Sequence, residues 1–207
     1  MIRRASAALV VGSLAVLIAG CRVHVDKDSA GQEKTVQVDT PFGGMHVNTN
    51  QITAADLGLP VYPGATIVAD DKNNQSADVH MGFGEWQLRV RAISYSTPDA
   101  PDKVIAFYKK ALARYGDVIT CQNSTPVGKP VATSEGLTCA DNGKHSTVQV
   151  DTSDNGIHLG SGLELKAGSK HHQHIAGIED SKGGQTRFGL VELQLPASTD
   201  SGSGSSD

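Results

Sequence analysis

Aromatic side chains are scarce in this chain: Phe, Trp and Tyr make up 4% of 207 residues, with one Trp. So few large rings must serve a whole core, which leaves little for a stacking platform of the kind that holds single-stranded nucleic acid. Positive charge is scarce as well. Eighteen Lys and Arg stand against 22 Asp and Glu, a formal net charge of -4. Without a basic stripe, a nucleic-acid partner is not expected, because phosphates demand clustered cations. Missing too are the Gly-x-Ser-x-Gly elbow, His-Glu-x-x-His, the P-loop, Cys-x-x-Cys and the dinucleotide glycine fingerprint. Asp26-Lys27-Asp28-Ser29-Ala30-Gly31 opens like a calcium loop, but Ala30 stands at a ligand position and Gln37 where the bidentate Glu belongs. No cofactor is expected, and no reaction is legible.

Long apolar runs are equally rare, and the one present is informative. Met1-Ile2-Arg3-Arg4 is a short positive start, Ala5 to Ile18 is mostly apolar, and Leu17-Ile18-Ala19-Gly20-Cys21 closes the run. This is the plan of an export signal over residues 1–20. It is too short to span a hydrocarbon core of ~30 Å, which takes about 20 residues. Ile18-Ala19-Gly20-Cys21 resembles the lipobox of bacterial lipoproteins. That resemblance implies cleavage before Cys21, a thioether-linked diacylglycerol on its sulfur, and N-acylation. The partner so implied is a lipid bilayer, with an envelope protein or ligand beside it. Arg22 follows where an Asp would favour the inner membrane, so the outer membrane facing the periplasm is expected in a cell that has one. An ordinary cleaved signal with an incidental Cys is the competing reading.

Assigning Cys21 to lipid leaves an even pair, Cys121 and Cys139, in an oxidising compartment, and a disulfide between them is expected. Both end short β-like runs, and a loop rich in Ser, Thr, Gly and Pro separates them. Two reduced buried thiols are the alternative. No His or Cys stands at zinc-ligand spacing from either.

Residues 21–34 read as a polar tether, 35–50 as a β-hairpin, 51–196 as one α+β domain and 197–207 as a tail too polar to fold. Trp86, Leu88, Val90 and Ala92 alternate with Gln87, Arg89 and Arg91, the period of a half-buried antiparallel strand. Thr97 to Asp102 supplies a cap residue, Pro and an early acid. Val104, Phe107, Tyr108, Ala111, Leu112 and Tyr115 then recur at three and four, which predicts an amphipathic helix over 102–115 ended by Gly116. One main helix among many strands predicts an antiparallel sheet with that helix packed on it. Thr35-Val36-Gln37-Val38-Asp39-Thr40 recurs as Thr147-Val148-Gln149-Val150-Asp151-Thr152. Two simple strand–turn–strand patterns would match by coincidence; a copied hairpin that extends the sheet, or exchanges between copies, would match by design.

The residues that gather near chemistry are His171, His172 and His174. His172 and His174 can face one way on an extended segment and offer half a site for Zn²⁺, Cu²⁺ or Ni²⁺. Lys170 beside them opposes a cation, so they are weak candidates and a solvated loop entering a strand is expected there. The succession Leu59-Pro60-Val61-Tyr62-Pro63-Gly64-Ala65, Ser96-Thr97-Pro98-Asp99, Val104-Ile105-Ala106-Phe107-Tyr108-Lys109 and Gly116 resembles uncharacterised bacterial envelope lipoproteins with a YPGA…FYK domain. The turn at Thr40-Pro41-Phe42-Gly43-Gly44 and Gly184-Gln185-Thr186-Arg187-Phe188 fit the same group. The resemblance covers residues 35–196 and implies an extracytoplasmic accessory module, with no reaction or ligand attached to it. With the lipobox and the missing catalytic motifs, the expected function is a membrane-anchored, non-catalytic binding or assembly module of the cell envelope. A metal-dependent or hydrolytic envelope enzyme with scattered residues is the other function class.

Overall fold

The computed structural model describes residues 21–27, 29, 33–49, 51–69, 75–141, 149–151, 156–158, 162–179 and 183–196. The export signal and the polar tail expected from the sequence lie outside these residues.

An open antiparallel sheet is built outward from two long hairpins. β5 (Ser76–Phe83) and β6 (Trp86–Thr97) are joined at Gly84-Glu85, where Gly84 takes φ +60° as a tight turn requires. β12 (His172–Ile178) and β13 (Thr186–Gln194) form the second pair, and β13 also lies against β6. On one side the sheet continues through β3 (Gly43–Thr49) and β2 (Glu33–Thr40) to β1 (Arg22–Lys27). On the other it continues through β11 (Leu163–Gly168) and β7 (Ile119–Gln122) to β8 (Thr125–Pro126), and β4 (Thr66–Ile67) adds a short strand against β6. A separate two-stranded ribbon pairs β9 (Gln149–Asp151) with β10 (Gly156–His158).

The core lies under the one α-helix among the described residues, α1 (Pro101–Leu112). Val104, Tyr108 and Leu112, spaced four apart on one stripe, are wholly buried against Leu165, Ala167, Ala176, Leu190 and Phe188. Lys103, Lys109 and Lys110 are exposed. Pro101 occupies the first helical position, where its missing N–H costs nothing. The helix does not begin as the sequence suggested. Ala100 is the cap residue and caps nothing; Asp99 instead accepts a 2.9 Å hydrogen bond from Tyr62 and a 2.8 Å ion pair from Lys103. Phe107, expected at the centre of the stripe, is half-buried at its margin against Tyr62. The last turn, Ala113–Tyr115, tightens to a 3₁₀ helix.

Cys121 and Cys139 are disulfide-bonded, with Cα atoms 5.6 Å apart. The bridge holds the 122–138 loop against the far face of the sheet, where Ile119 and Leu137 complete a small apolar cluster. Under the same loop, Lys166 and Glu164 are buried together, Nζ to Oε2 3.5 Å. Burial pulls the Lys166 ammonium below its usual range and pushes the Glu164 carboxyl above its own.

One expectation about the sheet needs correction. Residues 22–27, read as tether, form the edge strand β1 and pair with β2 from Arg22↔Asp39 to Lys27↔Glu33. Val23 and Val25 alternate with His24 and Asp26, a strand pattern shorter than the charge around it made it look. The 35–50 hairpin extends the sheet, as one of the two readings of the repeat has it, joined to β5 along seven residue pairs. The sequence repeat does correspond to a repeated register: Gln37↔His46, Val38↔Met45 and Asp39↔Gly44 in β2–β3 match Gln149↔His158, Val150↔Ile157 and Asp151↔Gly156 in β9–β10.

Candidate functional site

Pleating sorts the N-terminal half of the sheet into an apolar face and a polar face. One cross-strand row on the apolar face reads Val25, Val36, Val47, Val79, Val90, Leu193. One residue along, on the other face, the row reads His24, Gln37, His46, His80, Arg89, Gln194, His172. The neighbouring polar row runs Asn48, Asp78, Arg91, Glu192, His174. His172 and His174 are thus the end of a polar band that crosses the sheet. Along it, Arg89 grips the buried Asp78 through two hydrogen bonds of 3.0 and 2.7 Å, and His80 meets Gln87 at 2.7 Å.

At the end of the band the sheet brings together three potential metal-ligand side chains. His172, His174 and Glu192 place one donor atom each within 4.8 Å of the others. His174 is 5% exposed. The turn Ala54–Leu57 and the end of the helix close over it. Its Nδ1 faces the Leu57 carbonyl at 3.1 Å, so Nδ1 carries the proton and Nε2 keeps its lone pair. Tyr115 stacks on the ring at 3.5 Å and 12°. The Tyr115 hydroxyl donates to the Gly58 carbonyl at 2.7 Å and occupies the space a Cβ would need at Gly58, whose φ of +69° also calls for glycine. Burial pushes the His174 imidazole down to about 4, with the neighbouring His172 adding to it and the Glu192 carboxylate opposing it. At neutral pH the ring is uncharged.

Glu192 is buried, 4% exposed. Oε1 accepts from Gln194 at 2.9 Å and meets His172 Nε2 at 2.8 Å, while Oε2 pairs with Arg91. Burial alone would raise its carboxyl; the hydrogen bonds from Gln194 and His172 and the Arg91 charge outweigh this and hold it below the usual range. His172 is the accessible member, its side chain 51% exposed. A neutral buried imidazole, an accessible imidazole and a carboxylate are the donor set that suits a borderline transition metal. The Arg91 guanidinium works against it, since it already neutralises the carboxylate.

Sequence reading found His172 and His174 in a solvated loop entering a strand; His172 is the exposed first residue of that strand, β12, but His174 is buried within it. His171 lies in the loop, where its ring meets the Pro196 carbonyl at 3.0 Å. Glu192 and Arg91 were missed because their strands lie far apart in the chain. The triplets Val23-His24-Val25, Met45-His46-Val47 and Val79-His80-Met81 were the overlooked signal, a His flanked by apolar residues on three strands. Cys21 carries a free, exposed thiol beside β1. No helix among the described residues is long and apolar enough to cross a membrane. Comparison with known proteins finds no matching family model, no matching curated protein and no matching solved structure.

Proposed function

We propose that the protein is a lipid-anchored lipoprotein of the bacterial cell envelope, tethered through acylated Cys21, and that it works as a non-catalytic binding or assembly module. The observation that carries this reading is the position of Cys21: the lipobox-like Ile18-Ala19-Gly20-Cys21 ends where the sheet begins, and the thiol is exposed. The disulfide suits an oxidising, extracytoplasmic compartment. The amphipathic helix covers one half of the sheet; the other half, β1 to β5, is a thin two-faced blade that suits a partner rather than a substrate. Its edge strand β1 offers backbone groups for strand addition. The membrane is the outer one, facing the periplasm, where the cell has two. Cys21→Ser should move the mature protein from the membrane to the soluble fraction. Recovery of the processed variant in membranes would contradict the anchor.

A second reading, a metal-dependent or hydrolytic envelope enzyme, is favoured by one observation, the convergence of His172, His174 and Glu192. Stoichiometric zinc, copper or nickel in protein purified without a His tag, lost on His172→Ala, would support it. Metal-free protein that retains its binding partner would decide for the module.

A further inference from the structure

Large apolar side chains are exposed together at one corner of the sheet. Phe42, at the β2–β3 turn, is 84% exposed; Phe83 and Trp86, flanking the β5–β6 turn, are 50% and 41% exposed, with ring centroids 5.9 Å apart. Registration brings the two turns together, since Gly43 pairs with Phe83 and Phe83 with Trp86. Gly43 has no Cβ where the Phe83 ring and backbone approach. Three exposed aromatics at adjoining turns form a patch that calls for a partner.

The chain path supplies a second observation. Arg22 pairs with Asp39 and Asp39 with Gly44, so Cys21 leaves β1 at the level of Thr40, Gly43, Phe83 and Trp86. Alternation puts Cys21 and Val23 on the same face as Phe83 and Trp86. No residue separates Cys21 from β1, so acyl chains on it would hold this end of the sheet against the lipid headgroups; Phe83 and Trp86 lie three and four strands along the same end, about 14 and 19 Å away at ~4.8 Å per strand.

We propose that this end of the sheet docks on the bilayer surface, with Phe42, Phe83 and Trp86 inserted at headgroup level along the same end that Cys21 anchors at its edge. The proposal rests on the lipid-anchor reading and adds an orientation to it. Trp is favoured at the membrane–water interface because its ring is apolar and its N–H is polar. Arg22, exposed beside Cys21, adds a cation against anionic headgroups; Asp39, opposite it on β2, and Glu85 at the β5–β6 turn are acids it must outweigh. The strand direction then rises from the membrane. The His174 site, reached through strands that run from this same end, stands on the face away from Trp86.

Trp86 is the sole Trp of the chain and reports on its own surroundings. The full-length protein, produced with its signal and purified in acylated form, is reconstituted on vesicles of phosphatidylethanolamine and phosphatidylglycerol doped with lipids brominated near the headgroup. The expected result is a blue-shifted Trp86 emission, quenched at least about twofold by the brominated lipids as for an interfacial Trp, with the quenching reduced in a Phe42→Ser, Phe83→Ser variant of unchanged circular dichroism. Protein that is acylated and sediments with the vesicles, yet whose Trp86 is unquenched, would overturn the docking and leave the anchor standing. Protein whose mature mass shows no acyl chains would overturn both. A blue shift that grows with protein concentration in the absence of vesicles would assign the patch to a second copy of the chain, against the proposal.

Discussion

Buried as a neutral ring, His174 couples stability to pH. Its ordinary value near 6.5 falls to about 4 in the fold, so the unfolded chain binds the extra proton in that interval. The stabilisation from keeping it neutral is complete above pH 6.5 and is lost as the pH falls through the window from 6.5 to 4, in total on the order of 3 kcal/mol. Urea unfolding at a series of pH values should show this slope, and His174→Gln should flatten it. An identical slope in the variant would show that the titration is not that of His174. A second test belongs to Lys166 and Glu164. Removing one partner strands the other in the core, so Lys166→Met should cost about 3 kcal/mol, and the added change Glu164→Leu should recover most of it. The run Leu163-Glu164-Leu165-Lys166 reads in sequence as a strand with a wet face. That face is dry because the disulfide loop lies on it, and which loop covers which strand is a property of chain topology that no local pattern carries. His174 was misread for the same reason, since the Tyr115 ring that buries it comes from the far end of the helix.

At the scale of elements, periodicity was a good guide where one face is fully covered and a poor one at the margins. The stripe of α1 was legible, but the sheet leaves Phe107 at the rim and takes Val104, Tyr108 and Leu112 as its contacts. Leu112→Ala should therefore lower stability by roughly 2 to 5 kcal/mol, and Phe107→Ala by less, as compared in chemical denaturation. A larger loss at Phe107 would show that the helix is rotated from this packing. β6 was legible because its alternation is long. β1 was not: six residues with two valines carry little signal, and the strand is specified by its partner β2. The disulfide was legible from counting cysteines. Thiol alkylation of the native protein should label neither Cys121 nor Cys139, and reduction should cost roughly 3 kcal/mol on the chain-entropy account.

Across the whole molecule, the same sheet does two jobs. Its C-terminal half is sandwiched between the helix and the disulfide loop and carries the stability. Its N-terminal half repeats a simple valine-and-histidine hairpin outward from that core and ends at Cys21. A chain that needed stability alone would have little use for four more strands with no helix upon them. The function proposed for this arrangement, presentation of a two-faced sheet from a membrane, stands or falls on what is attached to Cys21. Mass spectrometry of the N-terminal peptide from the native membrane fraction is the direct measurement. A mature chain that starts at Cys21 and carries a diacylglyceryl thioether with an acylated amine is the predicted result. A mature chain that starts elsewhere, or starts at Cys21 with an unmodified thiol, would contradict the account.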